Sequence, residues 1–176
     1  RYGIAGNANF YINDINYQSA MYGLEKWSDQ FYWYMYKYAL ALPAIPYLAF
    51  NVANIIKAIY GKNKKGLVLD LENTLWGGIV GDDGVENIVV GQETSEGQAY
   101  SEFQDYLKQL KSTGVILNID SKNDEKNAIA GLNHPDGTLK PEDFIVIKAN
   151  WQPKSKNILE IAQELNLGVD SLVFTI

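Results

Sequence analysis

The sequence lacks cysteine and contains a single histidine, His134, among its 176 residues. The absence of cysteine excludes disulfide bonds, thiolate metal sites and a cysteine nucleophile, and it mildly favours a reducing compartment. One histidine makes multi-histidine metal sites and Ser-His-Asp catalysis difficult to build. We therefore predict a cytoplasmic protein, and we assign no chemistry to His134, which lies in a predicted loop.

Basic residues are scarce in the C-terminal part of the chain. Residues 1–65 carry seven Lys/Arg against three Asp/Glu, whereas residues 66–176 carry eight against eighteen. Nucleic-acid binding needs a basic stripe, so we predict no nucleic-acid partner. A phosphorylated small molecule remains compatible with the acidic part, because a bound divalent cation can invert the local field.

The sequence has no long uninterrupted apolar run. Its most apolar stretch, residues 38–59, is broken by prolines, asparagines and a lysine, at Pro43, Pro46, Asn51, Asn54 and Lys57. We therefore predict a buried helix, which would cover residues 47–60, and no membrane span. The chain opens at Arg1 without a signal peptide, and we expect it to be a piece of a longer protein.

Aromatic residues crowd the N-terminal segment without a regular period, as in residues 30–38. We interpret residues 1–64 as a mostly helical, aromatic-rich segment, the tail of a preceding domain. Its rings would pack on a neighbouring surface, and the alternative is an aromatic binding face.

Residues 65–176 alternate between short apolar runs and amphipathic stretches, a pattern typical of an α/β fold with a parallel sheet. Strands are predicted at 66–69, 115–119, 144–147 and 172–174, and helices at 95–113, 124–131 and 153–165. The glycine-rich stretch 77–91 between the first strand and the first of these helices predicts a small flap hairpin.

The first predicted strand ends in two carboxylates, Asp70 and Glu72, followed by the hydroxyl of Thr74. Open α/β sheets bind ligands at the carboxyl ends of their strands. Ser121 and Lys122 follow the second strand, and Asn150 and Lys154 follow the third. Two carboxylates, hydroxyls and an ammonium suit phosphoryl transfer with Mg²⁺, although receiver-like domains and plain helix caps also place acids after strands.

The run D-L-E-N-T-L at residues 70–75 resembles the first motif, D-x-D-x-T-L, of the haloacid dehalogenase (HAD) superfamily. The runs D-S-K-N-D-E, H-P-D, K-A-N-W-Q-P-K and L-N-L-G-V-D-S-L-V-F are similar to the FkbH-like branch, subfamily IIIC. The resemblance covers about residues 45 to 174. It implies a Rossmann-like HAD core with a minimal cap.

The resemblance also implies roles for individual residues. Asp70 would be the nucleophile that forms an aspartyl-phosphate, and Glu72 stands where the family has its general acid/base aspartate. Mg²⁺ would be held by Asp70, by the main-chain carbonyl of Glu72 and by later acids of the family's fourth motif. The phosphate-binding residues would be Thr74, Ser121, Lys122, Asn123 and Lys154. Lys148 is a weaker candidate for the lysine of the third motif.

The chain departs from the family pattern at two positions. Glu72 replaces an aspartate, and Ile176 stands where the first acid of the fourth motif is expected, so that we interpret the core as C-terminally incomplete. Misplacing a carboxylate by about 1 Å can cost on the order of a hundredfold in rate.

Two functional hypotheses follow. The first is a Mg²⁺-dependent phosphatase or phosphotransferase, which would act on a phosphoglyceryl-type substrate with an acyl carrier protein as partner. The second is a catalytically degenerate domain that serves as a binding or scaffold module. Trp76 and Trp151 flank the predicted site. We expect each ring to pack within the protein rather than to stack on a substrate, and of the two Trp76 is the better candidate for substrate contact.

Overall fold

The computed structural model describes residues 11–175. Its internal contacts divide the chain into two compact units, residues 1–63 and 64–176. Predictions on residues 1–10 and on Ile176 lie outside the described residues. Each unit is described by itself below.

Unit 1 is helical in its described part. Aspartate side chains begin two of its helices: Asp14 accepts a hydrogen bond from the amide of Tyr17 (2.9 Å), and Asp29 accepts one from Phe31 (2.8 Å). Such caps satisfy amides that have no partner inside the helix. The helices are α1 (Ile15–Tyr22), α2 (Leu24–Trp27), α3 (Gln30–Tyr36) and α4 (Ile45–Ile59), and a 3-10 turn at Leu42–Ala44 precedes α4.

The aromatic residues of α3 are exposed, apart from the half-buried Tyr32, and they contact one another and Tyr38, which follows the helix. The ring centroids of Phe31 and Tyr32 lie 5.6 Å apart, and those of Tyr36 and Tyr38 lie 5.8 Å apart. None of the residues of α3 is buried. The predicted packing of these rings on a neighbouring surface stays a prediction.

The helix predicted over residues 47–60 is present, but the prediction that it is buried is wrong. Helix α4 spans Ile45–Ile59, and none of its residues is buried. Its apolar residues recur at helical spacing, but the other described elements of unit 1 do not enclose them. By length and composition alone the stretch Leu42–Ile59, with a mean hydropathy of 1.4, could cross a membrane, which is a weak indication of a span.

Unit 2 contains a parallel sheet of four strands in the order β3-β2-β1-β4. The strands are β1 (Gly66–Leu69), β2 (Ile116–Ser121), β3 (Val146–Ala149) and β4 (Leu172–Thr175). The helices that connect them are α5 (Val80–Asp83), α6 (Ser95–Ser112), α7 (Glu125–Leu132) and α8 (Lys154–Glu164), with 3-10 turns at Val85–Asn87, Pro141–Asp143 and Val169–Ser171. The predicted α/β fold with a parallel sheet is confirmed, with strand ends shifted by one or two residues.

Apolar residues cover both faces of this sheet. On one face Leu69 and Ile119 pack with Leu107 of α6 and with Leu132 of α7. On the other face Val68 and other strand residues pack with Ile161 and Ala162 of α8. Because successive strand residues point to opposite faces, a residue two positions after Val68 lies on the side of α8.

The predicted flap hairpin is wrong in its secondary structure. Residues 80–83 form a helical turn and residues 85–87 a 3-10 turn, and a single antiparallel bridge joins Gly77 to Val89. The physical reason lies in Asp83, whose carboxylate accepts a hydrogen bond from the amide of Ile79 at 2.8 Å. Local side-chain bonds of this kind compete with strand pairing and close the backbone into a turn.

Candidate active site

The register of the parallel strands brings three chain segments to one edge of the sheet. Leu69 of β1 pairs with Ile119 of β2, and Ser121 of β2 pairs with Ala149 of β3. Asp70, the loop from Lys122 and the loop from Asn150 therefore start at neighbouring positions of the same carboxyl edge, as predicted. Leu69 also pairs with Thr175 of β4, so the described chain ends beside this edge.

Asp70 and Lys154 form an ion pair at this edge. The ammonium of Lys154, the first residue of α8, donates to Oδ2 of Asp70, while Oδ1 of Asp70 accepts a hydrogen bond from the amide of Leu71 at 2.9 Å. The two side chains are 22% and 18% exposed, so a ligand can reach both. The ammonium also lies 5.2 Å from the ring centroid of Phe174, a cation–π arrangement.

The structure distinguishes between the two candidate lysines. Lys148 lies on β3 and pairs with Glu164 and, at 3.5 Å, with Glu160 of α8. These ion pairs raise the pKa of Lys148. Lys154, and not Lys148, is therefore the lysine beside Asp70.

Glu72 lies two residues after Asp70 and is held by two hydrogen bonds. Its Oε1 accepts from the amide of Val80 at 3.2 Å and from Nδ2 of Asn123 at 2.8 Å. Burial raises the pKa of Glu72, the charges of Asp70 and Asp82 add to this increase, and the two hydrogen bonds oppose it. Glu72 therefore keeps a proton to a higher pH than an ordinary glutamate, as a general acid requires.

The structure does not bring all the other predicted site residues into these contacts. Ser121 is buried at the end of β2, Thr74 is half-buried in the turn after Asp70, and Lys122 is exposed. Within residues 11–175 none of these three side chains is hydrogen-bonded to Asp70 or Lys154. Asn123 is buried and engaged with Glu72. Their roles in phosphate binding stay predictions.

Trp76 packs in the interior, as expected, because it is 1% exposed. The ranking of Trp76 above Trp151 for substrate contact is therefore wrong. Its ring packs so closely on Gly131 that a Cβ atom there would lie 2.7 Å from it. Trp151 is 70% exposed, and its indole nitrogen donates to the carboxylate of Asp124 at 2.9 Å. Of the two indoles, that of Trp151 is therefore the one exposed to solvent.

Sequence reasoning placed Asn150 after the third strand but missed Asp120 and Asn157, with which it forms a network. Asp120 of β2 is completely buried, and its Oδ1 accepts a hydrogen bond from Nδ2 of Asn157 at 2.8 Å. The same Nδ2 donates to Oδ1 of Asn150 at 3.0 Å. The available signal was the alternation of Asn118 and Asp120 with apolar residues, since polar side chains are unusual in a buried strand.

The oxygen donors near Asp70 are suitable for Mg²⁺. No group of three metal-ligating side chains occurs in the part of the chain that the structure describes. Mg²⁺ commonly keeps several waters and takes only one or two carboxylates together with phosphate oxygens. The carboxylate of Asp70 and the main-chain carbonyl of Glu72 match that preference. Ile176, where the sequence comparison expects a further acid, lies outside the described residues.

Comparison with known structures finds a chain of the same fold. A crystal structure of the N-terminal part of the protein BF1531 from Bacteroides fragilis, which contains a phosphatase domain and is complexed with Mg, superimposes with a TM-score of 0.87. The two sequences are 44% identical. The match covers 94% of the present chain but only 44% of the Bacteroides fragilis chain. No protein-family model and no curated protein matches the chain.

This similarity supports the prediction of a HAD-like phosphatase domain. The Mg in that structure agrees with the cofactor predicted from the sequence. The assignment to the FkbH-like branch stays a prediction.

Proposed function

We propose that the chain is a Mg²⁺-dependent phosphatase that acts on a phosphorylated small molecule through an aspartyl-phosphate on Asp70. The observation that carries this proposal is the Asp70–Lys154 ion pair at the carboxyl end of the central strand β1. The similarity to a chain that contains a phosphatase domain supports it.

In the first step an oxygen of Asp70 attacks phosphorus, and the bond from phosphorus to the ester oxygen breaks. The leaving oxygen takes a proton from Glu72, whose raised pKa favours the protonated form. In the second step Glu72 accepts a proton from water, which attacks the aspartyl-phosphate and releases inorganic phosphate. Glu72 thus returns to its protonated form, and Asp70 returns to a carboxylate.

Lys154 supports both steps electrostatically. The attacking carboxylate and the phosphate are both negative and repel each other, and a fixed ammonium between them reduces that repulsion. Because Lys154 already contacts Asp70, the charge is in place before the substrate arrives. When bound, Mg²⁺ would supply further charge neutralisation at the phosphate, and it would be held by the carboxylate of Asp70 and the main-chain carbonyl of Glu72, which leaves the Glu72 side chain free for proton transfer.

The resemblance to the FkbH-like branch suggests a narrower substrate. The motifs at residues 120–125 and 148–154 support a phosphoglyceryl-type substrate and an acyl carrier protein as its partner. We include both in the proposal, and they rest on the motifs alone.

The test is hydrolysis of a panel of phosphate esters by the chain, with and without Mg²⁺. We expect Mg²⁺-dependent release of phosphate, and we expect Asp70→Asn to abolish it because an amide is a poor nucleophile. Asp105→Asn, a matched change on the exposed side of α6, should leave the rate unchanged. If Asp70→Asn retains the wild-type rate, the proposal is wrong.

A second function is favoured by one observation. Glu72 is longer than the aspartate of the family motif, and its Oε1 is already held by Val80 and Asn123. A scaffold domain with a weak or inactive site would fit that arrangement. Wild-type chain that binds an acyl carrier protein but hydrolyses no ester of the panel would establish this second function instead.

A further inference from the structure

Asp120 is a buried carboxylate that the proposed reaction does not use, although it lies beside the nucleophile. Leu69 of β1 pairs with Ile119 of β2. Asp70 and Asp120 are the next residues of the two chains, so they lie side by side at adjacent positions. Both lie on the face covered by α8, since Asp70 follows Val68 by two residues and Asp120 contacts Asn157. Carboxylates are rarely buried without a partner that stabilises them.

The partner of Asp120 is an amide network that joins three segments of unit 2. Nδ2 of Asn157 uses its two protons on Oδ1 of Asp120 (2.8 Å) and on Oδ1 of Asn150 (3.0 Å). Nδ2 of Asn150 donates back to Oδ1 of Asn157 at 3.3 Å, and Oδ1 of Asn150 also accepts from the amide of Gln152 at 3.0 Å. The network therefore links β2, the loop after β3 and α8.

The network acts on the helical turn that carries Lys154. Asn157 follows Lys154 by three residues, and residues at this spacing lie on the same face of a helix. Asn157 is 1% exposed, whereas Lys154 is partly exposed at the edge of the sheet. Fixing the buried side chain therefore fixes the direction in which the exposed one leaves the helix.

We propose that Asp120 and Asn157 are positioning residues that hold the first turn of α8 so that the Lys154 ammonium stays on Asp70. This inference rests on the proposed function. Asp120 itself touches neither substrate nor the reacting atoms, and it acts through Asn157 on Lys154.

Electrostatics agree with this assignment. Burial raises the pKa of Asp120, the negative charge of Asp70 adds to the increase, and the Asn157 hydrogen bond and the Lys154 charge oppose it. Oδ2 of Asp120 has no hydrogen-bond partner among the described residues. The hydrogen bond from Asn157 is therefore the polar contact that fixes this carboxylate.

Exchanging the carboxylate of Asp120 and the amide of Asn157 tests whether their hydrogen bond, and not merely the packing of the two side chains, positions Lys154. Asn157→Asp keeps the volume of the side chain but sets two carboxylates against each other, and we expect kcat to fall about tenfold to a hundredfold. KM should change little, because Ser121 and the other candidate phosphate-binding residues apart from Lys154 are unaffected. Adding Asp120→Asn restores one donor and one acceptor, and we expect the double variant to recover most of the lost kcat.

Asn118→Leu is the matched control. Asn118 is completely buried in the same strand, two residues before Asp120, and its Nδ2 donates to the carbonyl of Leu67 at 3.2 Å. We expect this change to reduce stability without lowering kcat in the protein that remains folded. If Asn157→Asp is poorly folded, Asn157→Ser serves in its place, with the same expected loss of kcat.

Hydrogen exchange separates failure of the inference from failure of the proposed function. The amides of residues 155–158 should exchange faster in Asn157→Asp than in wild type, return toward wild type in the double variant, and be unchanged in Asn118→Leu. If the wild type is inactive but the variants show this exchange pattern, the proposed function is refuted, whereas the inference that the network fixes the first turn of α8 is supported. Wild-type kcat in Asn157→Asp, or unchanged exchange in α8, would overturn the inference.

Discussion

The contribution of Lys154 can be separated from that of its neighbour Lys148 by the same substitution at both positions. Lys154→Met removes the ammonium that pairs with Asp70 but keeps an apolar chain beside Phe174. Removing one preorganised electrostatic partner at a reacting centre costs on the order of a hundredfold to a thousandfold in kcat. We expect a loss of that size for Lys154→Met.

The same change should also reduce the free energy of unfolding. Exposed ion pairs contribute about 0–1 kcal/mol, whereas breaking a buried pair costs about 3–5 kcal/mol. With side chains 22% and 18% exposed, the Asp70–Lys154 pair lies between these limits, and we expect a loss of about 2 kcal/mol. Urea unfolding of both proteins at neutral pH measures this difference.

Lys148→Met is the control, because Lys148 pairs with Glu160 and Glu164, which are 39% and 49% exposed. We expect a loss of at most about 1 kcal/mol in stability and no change in kcat. Equal losses of kcat in the two variants, or a wild-type kcat in Lys154→Met, would refute the reasoning from the ion pair.

Three further predictions concern protons and the metal. Asn123→Ala removes a hydrogen bond that lowers the pKa of Glu72, so the pKa of Glu72 should rise. The high-pH limb of the kcat/KM profile should then move to higher pH, because Glu72 stays protonated longer. A move to lower pH would contradict the acid role of Glu72. The pKa of Asp120 is raised above its ordinary 3.8, so its contribution to stability is complete below that value and is lost as pH rises through the folded-state pKa. The stability of Asp120→Asn relative to wild type should therefore increase between pH 3.5 and pH 7 in urea unfolding, and a difference independent of pH would speak against this. Chelation of Mg²⁺ should stop turnover and readdition should restore it, while turnover that survives chelation would exclude Mg²⁺ as the cofactor.

The sequence was sufficient for the architecture of unit 2 because each strand is short, apolar and bounded by clear breaks. Asp70 could be placed at the edge of the sheet from the strand pattern alone. Its pairing with Lys154, 84 residues later, could be anticipated from the ordered motifs. The resemblance already favoured Lys154 over Lys148, and the structure adds the physical reason, since Lys148 is paired with Glu160 and Glu164 whereas Lys154 contacts Asp70.

Other features depend on contacts that no local pattern encodes. The Asp120–Asn157 bond requires the register of β2 and the position of α8 at once. The hydrogen bond from the amide of Ile79 to the carboxylate of Asp83 closes a stretch of strand-forming residues into a turn. The burial of Trp76 depends on the absence of a side chain at Gly131, far away in sequence.

In unit 1 the limits of sequence reasoning are of another kind. The apolar periodicity of α4 predicted a helix, and the helix is present. Periodicity identifies the apolar face of a helix but not what covers it, and the burial expected for α4 is not observed in the described chain.

The central claim is that Asp70 becomes phosphorylated during turnover. Rapid acid quenching of wild-type chain with substrate and Mg²⁺, followed by proteolysis and mass spectrometry, tests it directly. We predict one phosphoryl group on the peptide that contains Asp70, and none on that peptide in Asp70→Asn. Turnover by wild type with no phosphoryl group on Asp70, or with the group on another residue, would contradict the account.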